Sequence, residues 1–288
     1  MTLRQSHFVE PVPLVIAREH RLLEGVDMAF EHTRGSAAQL DGLLRGELDL
    51  VVTAMDNLFE WTRAGADVRL IAQVERTTPL RLVARSGFGD ISALSRCRFA
   101  VDSATSGFSL VAKAIFSEAG IEVMEIEVGG VRARMEALLA GSADATLLGP
   151  PFDVLAEQAG AAVLLDLGDQ FPALPGQGLV SRTEITKSPE LSDYLRSLAT
   201  ATRVAAEIPD TEGVALMKRS GFGPAASAHW DARPGRLDVN PVGLEFLTEI
   251  RRDLGFLRGD TLRALHDTEP LKTAQGLPES CATMRTER

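Results

Sequence analysis

Residues 43–49 read Leu43-Leu-Arg-Gly-Glu-Leu-Asp49, and residues 138–144 read Leu138-Leu-Ala-Gly-Ser-Ala-Asp144. The two phrases lie 95 positions apart and share Leu-Leu, Gly and Asp at the same places. At that offset Ala17 also falls on Ala112, Gly25 on Gly120, Gly35 on Gly130 and Ala38 on Ala133. Eight of the 38 positions from 17 to 54 are then identical, without a gap. Val26 with Ile121, Asp27 with Glu122 and Leu40 with Met135 are conservative pairs. Self-similarity at a fixed period points to a duplicated supersecondary unit.

Each copy alternates short strands with helices. In the first copy the pattern predicts a strand over Leu3–Phe8 and a helix over Leu14–Leu23, stopped by Gly25. A strand over Val26–Glu31, a helix over Ala37–Leu44 ending at Gly46, and a strand over Leu48–Thr53 follow. The second copy predicts Arg98–Val101, Phe108–Ala119, Glu122–Val128, Val131–Ala140 and Ala143–Leu148 in the same order. Such alternation implies an α/β chain, with parallel-type sheets covered by helices on both faces. Leu80–Arg85 and Gly178–Arg182 are β-rich and half polar, and are expected to carry the chain between lobes and back. The expected division is 1–80 plus 178–288 for lobe one, and 81–177 for lobe two. Ser188-Pro189 opens a helix to Glu207, and Asn240-Pro241 opens another to about Leu257. The polar tail after Leu271 is expected to fray.

The 288 residues carry 30 Lys plus Arg against 40 Asp plus Glu, a net charge of −10. That balance excludes general nucleic-acid binding, which needs a basic surface. With 45% apolar and 24% charged residues the chain is an ordinary globular protein. Two cysteines make neither a disulfide framework nor a four-thiolate zinc site, and no cofactor or metal is expected. The longest apolar runs, such as Pro13–Ala17 and Ala161–Leu165, fall far short of a membrane span. Met1–His20 lacks the features of a secretory signal. The expected location is periplasmic or extracellular if a signal has been removed, and otherwise cytoplasmic.

Ligands of open α/β sheets bind outside the C-terminal ends of the strands. That rule selects His7–Pro11, His32–Ser36 and Thr53–Asn57 in lobe one. In lobe two it selects Asp102–Gly107, Gly129–Arg132 and Leu148–Phe152. The loop Asp102-Ser-Ala-Thr-Ser-Gly107 opens a helix and is an anion seat or a simple cap. Arg34 or Arg132 is expected to clamp the same anion. Phe8, Phe59, Phe108, Phe152 and Phe171 lie in or near these loops and are candidates for a stacking wall or for core. His7 and His32 lie at strand ends expected to face the cleft, with Glu10, Asp56 and Asp102 as orienting carboxylates. Neither histidine belongs to a specific catalytic motif. Cys97 sits at the strand end away from the cleft, and Cys281 lies in the tail.

Four segments resemble one family. They are Pro13–Gly25, Leu44–Thr53, Gly129–Gly141 and Ala145–Pro151, within a likeness covering about residues 10 to 205. The chain resembles the solute-binding proteins of ABC importers, with the type II periplasmic-binding fold, in the branch for sulfonates, taurine, nitrate and thiamine-pyrimidine precursors. The resemblance implies two lobes joined by two crossover strands, a hinge that closes on a small, anionic organic solute, and an ABC permease as partner. The protein itself is expected to be a monomer or dimer. Carried over residue by residue, ligand contacts would come from Phe8, Arg34, Ser36, Thr53, Asp56, Asn57, Thr78, Ser103, Thr105, Ser106, Arg132, Gly149, Pro151 and Phe152, with His7 beside them. Some proteins of this fold are cytoplasmic enzymes, so a lyase or hydrolase of decarboxylase or desulfinase type, using His7 as acid/base, is the alternative. The cysteine that desulfinase chemistry would need is absent from Ser6–Pro11.

Overall fold

The computed structural model describes residues 1–259 and 261–276. The first repeat runs β1 (Leu3–His7), α1 (Val12–Glu19), β2 (Met28–His32), α2 (Ser36–Leu44), β3 (Leu50–Ala54), α3 (Asn57–Arg63) and β4 (Val68–Gln73). The chain then crosses to β5 (Arg81–Ala84). The second repeat follows: β6 (Arg98–Val101), α4 (Gly107–Glu118), β7 (Met124–Glu127), α5 (Val131–Leu139), β8 (Ala145–Leu148), α6 (Phe152–Gln158) and β9 (Ala162–Asp166). A short helix α7 (Leu167–Gln170) leads back to β10 (Gln177–Arg182). The C-terminal part adds α8 (Pro189–Glu207), α9 (Asp210–Met217), α10 (Ala226–Asp231), α11 (Pro241–Asp253) and α12 (Glu269–Ala274).

The two sheets have the orders β2-β1-β3-β10-β4 and β7-β6-β8-β5-β9. Position for position these are one topology used twice. In each, the returning strand, β10 or β5, runs antiparallel to both neighbours while the other four strands run parallel. The sheets are therefore mixed rather than wholly parallel. Leu80–Arg85 and Gly178–Arg182, expected as the crossings, lie largely inside the sheets as β5 and β10. The crossings themselves are the segments 74–80 and 167–176, which touch at a bridge between Thr77 and Pro175.

The repeat is confirmed by a feature that the 95-residue offset does not align. Arg4 of β1 donates through its backbone N and Nε to Asp49 Oδ2 (2.9 and 3.0 Å), and through Nη2 to Gly46 O (2.6 Å). Arg98 of β6 donates through the same atoms to Asp144 Oδ2 (2.9 and 2.9 Å) and to Gly141 O (2.8 Å). Gly46 (φ +67°) and Gly141 (φ +72°) sit in the left-handed region, where a side chain is strained. The phrase Leu-Leu-x-Gly-x-x-Asp thus encodes a helix end and a charge-assisted clasp.

The outer core packs α1 and α8 on sheet one through Leu14, Ile16, Val52, Leu179, Leu195 and Leu198. A second core is shared between the lobes, joining Val51, Leu58 and Phe59 to Phe99, Leu110 and Leu247. Helix starts follow the sequence signals: Ser188 Oγ accepts from Leu191 N (3.2 Å), and Asn240 Oδ1 accepts from Val242 N (3.0 Å). Helix α11 ends at Asp253, short of the expected Leu257, and the stretch after Leu271 begins as helix, with Leu271 and Ala274 buried. The remainder of that tail, with Cys281, lies outside the described residues.

Candidate functional site

The strand-end loops of the two lobes meet face to face. Ser36 Oγ donates to Asp102 Oδ2 across the gap (3.3 Å). A Cβ on Gly130 would stand 3.5 Å from the carbonyl oxygen of Arg34. Asp56, at the start of α3, reaches furthest. A Cβ on Gly107, the first residue of α4, would lie 2.6 Å from Asp56 Cβ and 2.8 Å from its Oδ2. Only glycine permits that approach. The Asp56 carboxylate consequently stands at the N-terminus of α4, where free N–H groups and the helix dipole favour negative charge.

That carboxylate has a cation of its own. Arg251 of α11 is 0% exposed. Its Nε donates to Asp56 Oδ1 (2.8 Å), Nη2 to Asp56 Oδ2 (2.5 Å) and Nη1 to Glu60 Oε1 (2.7 Å). Nη2 also donates to the carbonyl oxygen of Thr105 in lobe two (3.1 Å), and the guanidinium lies 4.7 Å over the Phe59 ring. One side chain from the C-terminal part therefore ties both lobes together. Burial raises the Asp56 carboxyl above the ordinary carboxylate range, with the Arg251 hydrogen bonds pulling it back. The sequence left one signal for Arg251: it occupies an inward position of α11, in line with Leu244 and Leu247.

The expected anion seat is thus partly used by the protein itself. Thr105 accepts from Arg251, and Ala104 N donates to Glu127 Oε1 (2.8 Å). Ser106 Oγ donates to Ser103 O (3.1 Å) and shares a hydrogen bond with Ser109 Oγ (2.8 Å). Arg34 is exposed, and Arg132 is exposed with its guanidinium 5.3 Å over Phe152. Phe8 is half-buried at the end of β1. Asn57 Nδ2 donates to the buried Thr53 hydroxyl (2.8 Å). Thr78 lies in the first crossing segment, its hydroxyl donating to Pro175 O of the second (3.0 Å). Gly149 lies beside the first crossing segment too, where a Cβ would stand 3.1 Å from Pro79 O. Pro151 follows a cis peptide bond and caps α6.

His7 does not face the cleft as expected. It is 2% exposed, with its ring edge-on to His32 at 4.9 Å and tilted against Phe30 at 6.5 Å. Period-two alternation sends Gln5 and His7 to the side of Tyr194, whose hydroxyl donates to Gln5 Oε1 (2.7 Å). Burial, helped by the neighbouring His32 and Arg18, pushes the His7 imidazole down to about 4. A buried, neutral ring with that basicity is a poor acid/base at neutral pH. Cys97 is buried and its thiol is pushed up to about 11, far from an activated nucleophile.

Two further groups escaped the sequence reading. Arg134 of α5 is 5% exposed beneath the loop 102–106. Its Nη1 donates to Gly129 O and its Nη2 to Leu147 O (both 3.3 Å). Glu75 lies buried in the first crossing segment, where Gln177 N of the return strand donates to Oε2 (3.4 Å). Burial pushes that carboxyl up to about 7.

No family model matches the chain, and no curated protein does. Solved structures do match. The ligand-binding component of an ABC-type import system from Staphylococcus aureus, with zinc bound, superposes with a TM-score of 0.81 at 14% identity, over 95% of this chain and 99% of that one. The fold is that of the periplasmic binding proteins. The alkanesulfonate-binding protein SsuA from Xanthomonas axonopodis pv. citri, bound to MOPS, gives a TM-score of 0.72 at 20% identity, over 91% and 96% of the two chains. The periplasmic nitrate-binding protein NrtA from Synechocystis gives 0.75 at 12% identity, over 96% and 88%. At such identities the likeness shows the periplasmic-binding fold. Among the described residues no group of three His, Cys, Asp or Glu side chains is placed to hold a metal ion, and no helix is long and apolar enough to cross a membrane.

Proposed function

We propose that this chain is the solute-binding component of an ABC importer, which holds a small organic anion between its lobes and hands it to a permease outside the cytoplasm. The observation that carries this reading is the facing pair of strand-end loop sets, 34–36 and 56 against 102–107 and 130, on two equivalent sheets joined by two adjacent crossing segments. Such lobes can rotate about their crossings and trap a ligand. The neighbours named for sulfonate and nitrate binding support an anion. The lyase or hydrolase alternative is not favoured, since its named base, His7, is buried on the far face of β1.

A thermal-shift screen of sulfonates, aromatic carboxylates and pyrimidines tests it. A true solute at 100 times its dissociation constant stabilises the folded chain by about 2.7 kcal/mol and is recovered unchanged. Absence of any stabilising solute, or chemical conversion of one, would contradict the proposal.

A further inference from the structure

The internal repeat supplies its own control for Arg134. At the 95-residue offset its equivalent is Gln39 of α2. Both side chains are buried, and both cross to the middle strand of their sheet. Gln39 Nε2 donates to Val52 O (3.0 Å), and Arg134 Nη2 donates to Leu147 O, the equivalent carbonyl. A neutral amide therefore meets the needs of the fold at this position. A guanidinium adds a buried charge, which is unfavourable unless it is compensated. Arg134 has no carboxylate within ion-pair distance among the described residues; Asp102 acts on it only through space. Two of its five N–H donors would suffice for its two carbonyl bonds. A cavity of about 10 Å³ adjoins it, lined by Asp102, Ser106, Phe108 and Ser109 among others, with room for about one water-sized atom. Asp102, one of its lining residues, meets Ser36 of the other lobe.

We propose that Arg134 is the anchor for the ligand's anionic head, with one sulfonate or carboxylate oxygen entering this cavity and the Ser106 hydroxyl beside it. The proposal rests on the solute-binding reading and narrows it to a class. Asp102 on the same cavity wall repels a second negative charge, so the ligand is an organic monoanion rather than a dianion such as inorganic sulfate.

The test is an NMR titration of the arginine Nε–H signals of the full chain. The probes are methanesulfonate, acetate, inorganic sulfate and neutral dimethyl sulfone, and the Arg134 signal is assigned by its loss in Arg134→Gln. A saturable shift of that signal with methanesulfonate or acetate is expected, with a weaker response to sulfate and none to dimethyl sulfone. Arg134→Gln copies lobe one, so it should melt within a few degrees of wild type while binding the monoanion at least ~30-fold more weakly. Arg134→Lys should fall between. Equal monoanion binding by Arg134→Gln, or monoanion binding that leaves the Arg134 signal unmoved, would overturn the anchor. So would a large loss of stability in Arg134→Gln, which would make the guanidinium a structural requirement. Wild type that binds neutral solutes in the thermal-shift screen but no monoanion loses the anchor and keeps the solute-binding reading. Wild type that binds nothing loses both.

Discussion

Asp56 and Arg251 form the most consequential contact at the scale of single residues. Neither charge reaches water, and each has the other as its principal compensation. Removing one partner strands the other, whereas removing both leaves only shape to repair. Asp56→Ala and Arg251→Met should each destabilise by about 3–5 kcal/mol, and the Asp56→Ala/Arg251→Met double variant by less than the sum. Urea unfolding of the four chains checks this, and simple additivity would mean that the pair is not coupled. The sequence marked Asp56 through the strand-end rule but gave no route to its partner, 195 residues away. Charge in an apolar stripe signals an unusual inward residue without saying what it meets. His7 shows the converse: its strand end was legible, but the face it takes depends on the alternation of β1 against helices distant in sequence.

At the scale of elements, the crossing segments carry a buried titratable carboxyl. Glu75 lies where the two crossing segments run side by side, with Val74 N and Glu75 N both donating to Gln177 O (3.0 and 3.3 Å). Its folded pKa, about 7, lies above the unfolded value, so the folded chain holds the proton more tightly. The stability this group contributes is full below about pH 4–5 and is lost as pH rises through 7. Glu75→Gln should therefore match wild type near pH 5 and exceed it at pH 8 by up to about 3 kcal/mol. Melting curves at the two pH values decide it; an equal offset at both would place the effect elsewhere. The elements themselves were largely readable. The repeated Leu-Leu-x-Gly-x-x-Asp phrase marks a helix end, a left-handed glycine and an acceptor for a strand arginine. The one-residue slip between Arg4 and Arg98 hid the clasp from an ungapped alignment. The crossings were placed too late in the chain because β5 and β10 are the apolar parts, whereas the true crossings are short and irregular.

At the scale of the molecule, a protein of net charge −10 repels anions at long range, so an anionic solute must be held by local donors screened from that field. The proposed site lies where the two repeats face each other. Lobe one also has a cavity of about 160 Å³ at the opposite end of its sheet, lined by Leu43, Leu44, Ala66, Val68, Arg182 and Glu184. That cavity is the rival position for a solute and makes the central claim easy to check. Amide hydrogen exchange is measured with and without the best solute from the thermal-shift screen. Added protection in loops 32–36, 53–57, 102–107 and 129–132, together with the crossing segments 74–80 and 167–176, is the result expected of two lobes closing on a ligand. Protection confined to 43–48, 65–68 and 182–184, or none at the facing loops, would contradict it.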